Sequence, residues 1–327
     1  MSSDTVFVWV CVAVGWLMIL GSLLVTRTRG AQDRRFLQFW HTTGLPIGTE
    51  RMAATVRRRI RTSGTVVLVG ALTGLLAASV ILLLRPELAS PPFVWLVALP
   101  ATLIGASTLD LGLTVRQSRF LPSMNGTRPD RSPAVVLADY VSPGRLRAAP
   151  LLVIVAAVLA GTALWLGSVG VLDLAVFLQS AALPVLAVAG SSLEAGRFAS
   201  RRILRQAQSA GTDLEQAWDD AFRAETLRSA SMFQTMIAWL AVGAVGLGIL
   251  NGWDAGTGTT WSTGLGSQLF TWGYLATIIW FGHSSATGYS RGRLWPNIVQ
   301  PGPRQTRRPN LPSPTGSATL AACRSEP

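Results

Sequence analysis

Long runs of apolar residues, 18 to 23 positions each, alternate along this chain with polar stretches crowded with arginine. Seven such runs cover residues 6–25, 65–84, 93–113, 149–166, 171–193, 232–250 and 269–286. A helix of about 20 apolar residues is what a hydrocarbon layer roughly 30 Å thick requires. Lipid offers the backbone no hydrogen-bond partners, so each run must bond internally as a helix. The pattern predicts an all-α fold, a polytopic transmembrane helical bundle with about seven spans. Gly273, Gly282 and His283 dilute the seventh run most.

Arginine placement gives an independent test of the count. With seven spans and the N-terminus outside, segments 26–64, 114–148, 194–231 and the tail from 287 fall on one side and hold 9, 6, 6 and 6 arginines. That accounts for 27 of the 28 basic residues, leaving only Arg85 outside. Cytoplasmic loops carry the excess of basic residues, so the expected orientation is N-terminus out and C-terminus in. Met1 to Asp4 carries an acid and no base, while Arg27 and Arg29 follow the first run. Residues 1–26 therefore read as an uncleaved anchor rather than a signal peptide.

The organisation expected along the chain has eight parts. After the anchor come a basic loop with an amphipathic helix (27–64), a hairpin of spans two and three (65–113), a second loop (114–148), and a hairpin of spans four and five (149–193). A helical loop (194–231), a hairpin of spans six and seven (232–286) and a basic tail without fixed structure (287–327) complete it. Met52, Val56 and Ile60 repeat every four residues beside Arg57, Arg58, Arg59 and Arg61. They predict either a helix lying on lipid headgroups or a helical extension of the second span. Thr212 to Glu215 match a capping box ahead of Leu214, Trp218 and Phe222, which predicts a helix whose apolar stripe faces the bundle, the lipid surface or a partner. Prolines make the second loop irregular, with a short ordered turn at 139–143.

One segment recurs. Ala98-Leu99-Pro100 with Ser107, Asp110 and Gly112 returns 84 residues later as Ala182-Leu183-Pro184 with Ser191, Glu194 and Gly196. This suggests a parallel repeat of the two-helix hairpin, with pseudo-symmetry about the membrane normal. Pro100 and Pro184 are expected to kink or loosen their helices. Ser107 with Asp110, and Ser191 with Glu194, are three apart and share a face. The two carboxylates suit a cation or proton site at the inner mouth of a pathway. More simply, they are salt-bridged anchors beside Arg116, Arg119, Arg197 or Arg201. Gln179 and Ser180, deep in the fifth run, call for hydrogen bonds across the bundle.

Composition narrows the function classes. The chain is 49% hydrophobic and 13% charged, with 12 tryptophans and no lysine, and its mean hydropathy is +0.39. The exclusive use of arginine points to a GC-rich bacterial genome. The basic pI near 11.4 is explained by the sidedness of the arginines and by anionic lipid headgroups, so no nucleic acid is expected as partner. Cys11 and Cys323 are too far apart to make a disulfide framework or a metal site. Most tryptophans, among them Trp9, Trp165, Trp253 and Trp295, suit membrane-interface anchoring. No zinc-protease, P-loop or dinucleotide signature occurs, so neither cofactor nor catalysis is expected. The expected function is a non-catalytic subunit or scaffold of the plasma membrane, bound to a membrane or cytosolic protein. The alternative is a small transporter or channel using Asp110 and Glu194.

Overall fold

A computed structural model of the 327-residue chain describes residues 3–46, 50–84, 91–117, 136–205, 213–257 and 286–295, with single positions at Trp272, Gly273, Ala276 and Ile279. Among the described residues the fold is all-helical. In chain order the helices are α1 (Ser3–Arg27), α2 (Arg29–Thr43), α3 (Glu50–Leu84), α4 (Pro91–Gln117), α5 (Leu137–Tyr140), α6 (Pro143–Ser168), α7 (Leu174–Gln179), α8 (Ala182–Arg205), α9 (Asp213–Thr257) and α10 (Ala286–Leu294). Five stretches are long and apolar enough to cross a membrane: Val6–Arg27, Met52–Leu84, Val97–Thr114, Pro143–Ser168 and Asp213–Thr257. These fit a membrane protein. The seventh expected span lies outside the described residues apart from the single positions and Ala286; of the tail expected without fixed structure from 287, residues 287–295 are folded, which corrects that expectation for them, and the rest lies outside the described residues.

Small residues set the two main packing contacts. Along α3, Gly70 and Gly74 lie against α4 so closely that a Cβ on either would overlap the carbonyls of Gly105 and Ala101. Without a hydrophobic driving force between helices in lipid, such backbone proximity is what gains dispersion energy. The second contact centres on α9. Ala156, Ala160 and Ala163 of α6, and Ala182, Val185 and Ala189 of α8, form one buried core with Ile237, Leu240, Ala241, Ala244 and Val245 of α9. Helix α1 stands at the edge and packs on α3 and α4. Its outer face of Val10, Val14, Leu17, Met18 and Leu24 is exposed and suits lipid.

Two segments assigned to loops run on into spans without a break. The amphipathic segment at 50–64 and the second span are one 35-residue helix, α3. Likewise the third-loop helix and the sixth span are one 45-residue helix, α9, about 67 Å long at 1.5 Å per residue. Hydropathy separates such segments because it follows polarity, whereas the backbone bonding runs straight through.

The fifth span is corrected in the other sense. It is not one helix: α7 ends at Gln179 and α8 begins at Ala182. Pro184 favours a break, because it has no N–H for the carbonyl of residue 180 and its ring crowds that carbonyl. The proline lies in the first turn of α8, where no donor is needed, and it is exposed. Ser180 bridges the gap: its hydroxyl donates to the Phe177 carbonyl at 2.6 Å and accepts from the Ala182 N–H at 3.2 Å. Gly248 of α9 makes room here, since a Cβ on it would stand 2.8 Å from the Ser180 Oγ. Pro100, in contrast, is buried inside a continuous α4. The two copies of the repeat therefore differ in fold.

The arginine-rich ends of the helices fold together into a second core. Phe36 of α2, Val56 of α3, Ala217, Trp218 and Ala221 of α9, Leu45 and Trp295 form one buried cluster, flanked by Phe39, Met52, Ile60 and Phe222. Tyr140 and Val141, Ile203 of α8, and Ala224 and Leu227 of α9 form its neighbour. The stripe of Met52, Val56 and Ile60 thus belongs to a helical extension of the second span, one of the two expected arrangements, and it packs on protein and not on lipid headgroups. The turn expected at 139–143 is present as α5 and the start of α6.

Candidate functional site

The densest polar arrangement lies in this arginine-rich module, on the first half of α9. Trp218 through Glu225 read Trp-Asp-Asp-Ala-Phe-Arg-Ala-Glu, and the charges are turned inward. Asp219 accepts from Arg59 of α3 at 3.1 Å and from Arg223 at 2.9 Å. Arg223, itself buried, also donates to the carbonyl of Ile203 on α8. The next carboxylate, Asp220, is 0% exposed and accepts from the Tyr140 hydroxyl of α5 at 2.9 Å. Four helices are tied to one another by these groups.

Aromatic rings complete the site. The Arg59 guanidinium sits 4.3 Å from the centroid of Phe222, and Phe222 stacks on Phe39 at 5.1 Å. Indole N–H groups hold the turn after α2: Trp40 donates to the Leu45 carbonyl and Trp218 to that of Pro46. Gly44 makes that turn in the left-handed region, at φ 63°, where a Cβ would be strained. Helix α10 closes the module, with Tyr289 donating to the Ala138 carbonyl at 2.8 Å and Arg293 paired to Asp139.

A small pocket remains among Thr43, Tyr140, Glu225, Arg228, Ser290 and Trp295. Trp295 is 3% exposed, so it is a core residue of the module and not the interface anchor that the sequence suggests. Its Nε1 has no hydrogen-bond partner among the described residues. Replacing Trp295 with Phe should therefore change stability by no more than about 1 kcal/mol, since it removes an unsatisfied donor. Trp295→Ala should cost about 3–5 kcal/mol through the cavity it leaves. Thermal unfolding of the detergent-solubilised variants checks both.

The residues singled out from the repeat are not brought together. Asp110 is buried between α4 and α3, where the Ser63 hydroxyl donates to it at 2.9 Å. Glu194 has a side chain 71% exposed and pairs with Arg197 on its own helix. Ser107 and Ser191 both donate to carbonyls of their own helices, those of Ile104 and Ala187. Gln179 is exposed at the end of α7, so it is Ser180, not the amide, that works across the break. Near Asp110, the Thr114 hydroxyl lies 3.3 Å from that of Thr226 on α9.

Compared with known family models, curated proteins and solved structures, the chain matches none.

The site must then be judged on its chemistry alone. Among the described residues no group of three or more His, Cys, Asp or Glu is placed to hold a metal ion. Gly288-Tyr289-Ser290-Arg291-Gly292 has the spacing of a serine-nucleophile elbow, which corrects the expectation that the sequence carries no catalytic signature of this kind. That motif works by exposing the serine on a sharp strand-to-helix turn. Here the five residues lie within α10 and Ser290 is 1% exposed. Asp219, Asp220 and Arg223 carry no sequence signature beyond their spacing. Their signal was a charged pair and an arginine repeating on the buried side of a helix whose other markers, Trp218 and Phe222, are large and aromatic.

Proposed function

We propose that the chain is a non-catalytic membrane subunit, a scaffold that fixes a folded basic module to the cytoplasmic side of the plasma membrane for a membrane or cytosolic protein partner. The observation that carries this reading is the continuity of α9. Its first half is the spine of the module, its second half is the centre of the apolar core, and no loop intervenes. The ionisable groups of the module support the same reading. Asp219, Arg59 and Arg223 are spent on one another, which fixes shape and leaves little for chemistry. A rigid link between a membrane bundle and an internally satisfied module suits holding and positioning a partner.

A second reading has one observation in its favour. Asp110 is a buried carboxylate close to the end of an apolar helix, where it needs a compensating partner. In a small transporter or channel it would face a pathway together with Glu194. Against that, Glu194 is exposed and paired with Arg197 of its own helix, while Asp110 is buried and held by Ser63 of α3.

Reconstituted proteoliposomes separate the two. The scaffold account expects proton, sodium and potassium fluxes equal to those of empty vesicles, unchanged by Asp110→Asn with Glu194→Gln. A flux above background that this double replacement abolishes would establish transport instead.

A further inference from the structure

We propose that Arg35, Arg57 and Arg61 form a binding site for the phosphodiester of an anionic lipid, in the angle between α2 and α3. The proposal rests on the membrane reading and is independent of the scaffold role. Thr28, whose hydroxyl accepts from the Ala31 N–H, starts α2 directly after α1, so α2 runs beside the end of a span. It packs on α3, and two arginines mark the contact. The Arg57 guanidinium lies over the Phe36 ring at 4.7 Å. Arg35 of α2 reaches across to α3, where its Nη1 stands 2.6 Å from the place a Cβ of Gly64 would occupy. Glycine at 64 is thus the seat on which Arg35 rests.

Positions 57, 61 and 64 follow one another at i, i+4 and i+7 and share a face of α3, so Arg61 stands one turn from that seat. All three side chains are exposed. Among the described residues none has an acidic partner within ion-pair distance. Arg59 shows the contrast: on another face of the same helix it is engaged by Asp219 and Phe222. Asp33 on α2 and Glu50 on α3 are the acids of these two helices, and neither pairs with the three arginines.

Three exposed guanidiniums along one helix contact, with no acidic partner among the described residues, are open to an anion. Thr65 opens the apolar run of α3, so on the membrane reading Gly64 and Arg61 fall near the lipid phosphates. Guanidinium forks bind phosphate oxygens by paired N–H groups, and basic residues at this position attract anionic lipid.

Native mass spectrometry in detergent tests this with dioleoylphosphatidylglycerol against dioleoylphosphatidylcholine. Retention after alkaline carbonate washing of the source membranes comes first, since a chain that washes off fails the membrane reading itself. The wild type should prefer the anionic lipid by about tenfold or more. Arg35→Gln with Arg61→Gln should bring that preference close to unity. Arg34→Gln with Arg58→Gln removes the same charge from neighbouring exposed positions and should leave it intact. Gly64→Ala keeps every charge but displaces Arg35, and should lower the preference several-fold; it carries the test if the double variant does not fold. Equal loss in the Arg34/Arg58 control, absence of preference in the wild type, or displacement of the lipid by equimolar glycerol phosphate or an acidic peptide would each overturn the proposal.

Discussion

Gly74→Leu should be the most damaging single replacement in the apolar half of the molecule. The Gly74 Cα faces the backbone of α4, and a Cβ there would overlap the Ala101 carbonyl. No rotamer relieves that overlap, because it involves backbone and not the tip of a side chain. The helices must part, which forfeits the dispersion contacts of the most extensive helix pair in the fold. A loss of about 3 kcal/mol or more is expected, seen as a melting temperature lower by roughly 5–10 °C in detergent. Gly112→Leu is the matched control. It lies on the same α4, nothing stands within 4 Å of its would-be Cβ, and leucine is the better helix former. Its melting temperature should equal or exceed that of the wild type. If both variants melt alike, the close α3–α4 contact is wrong.

Asp220→Ala should be the most damaging loss of a polar side chain in the arginine-rich module. Asp220 is fully buried and its carboxylate holds the Tyr140 hydroxyl, itself 3% exposed. Removing the carboxylate leaves the buried Tyr140 hydroxyl without this acceptor, at a cost of about 1–3 kcal/mol, and leaves a small cavity besides. Tyr140→Phe deletes only the donor and should cost about 1.5–3 kcal/mol. In the double variant the costs should fall short of additive, because both deletions remove the same bond. Asp213→Ala, at the exposed first position of α9, should cost less than about 1 kcal/mol. Thermal unfolding of the four variants decides it; an Asp220→Ala variant no weaker than Asp213→Ala would show that the module does not depend on this network.

Apolar segments long enough for lipid are the strongest pattern in the sequence, and the helices at α1, α3, α4, α6 and α9 follow directly from them. The repeat was legible as letters, yet it misled as structure. Pro100 and Pro184 occupy equivalent places in the two copies, but only Pro184 sits where a serine can cap a fresh helix start, so one helix continues and the other breaks. Sequence spacing also placed Ser107 beside Asp110 on one face, while the hydroxyl that reaches Asp110 is Ser63 of another helix. Contacts between helices cannot be read from the period of either one.

The module at the arginine-rich end was the least legible part. Met52, Val56, Ile60, Trp218 and Phe222 announced two apolar stripes, and lipid was an equally good destination for each. Only their mutual packing, with Phe36, Phe39 and Leu45 between them, makes them one core. The buried charges were hidden for a related reason. Asp219, Asp220 and Arg223 look like the solvated face of an amphipathic helix until α3, α5 and α8 are placed around them.

Helix α9 is one strut joining the module to the apolar core. Spin labels at Glu215 and Ala255, both exposed, in a chain with Cys11 and Cys323 replaced, measure it by electron–electron double resonance in nanodiscs. Forty residues of uninterrupted helix predict a single narrow distance near about 60 Å. A broad or two-peaked distribution centred below about 45 Å would mean a hinge between loop and span, and would contradict the account.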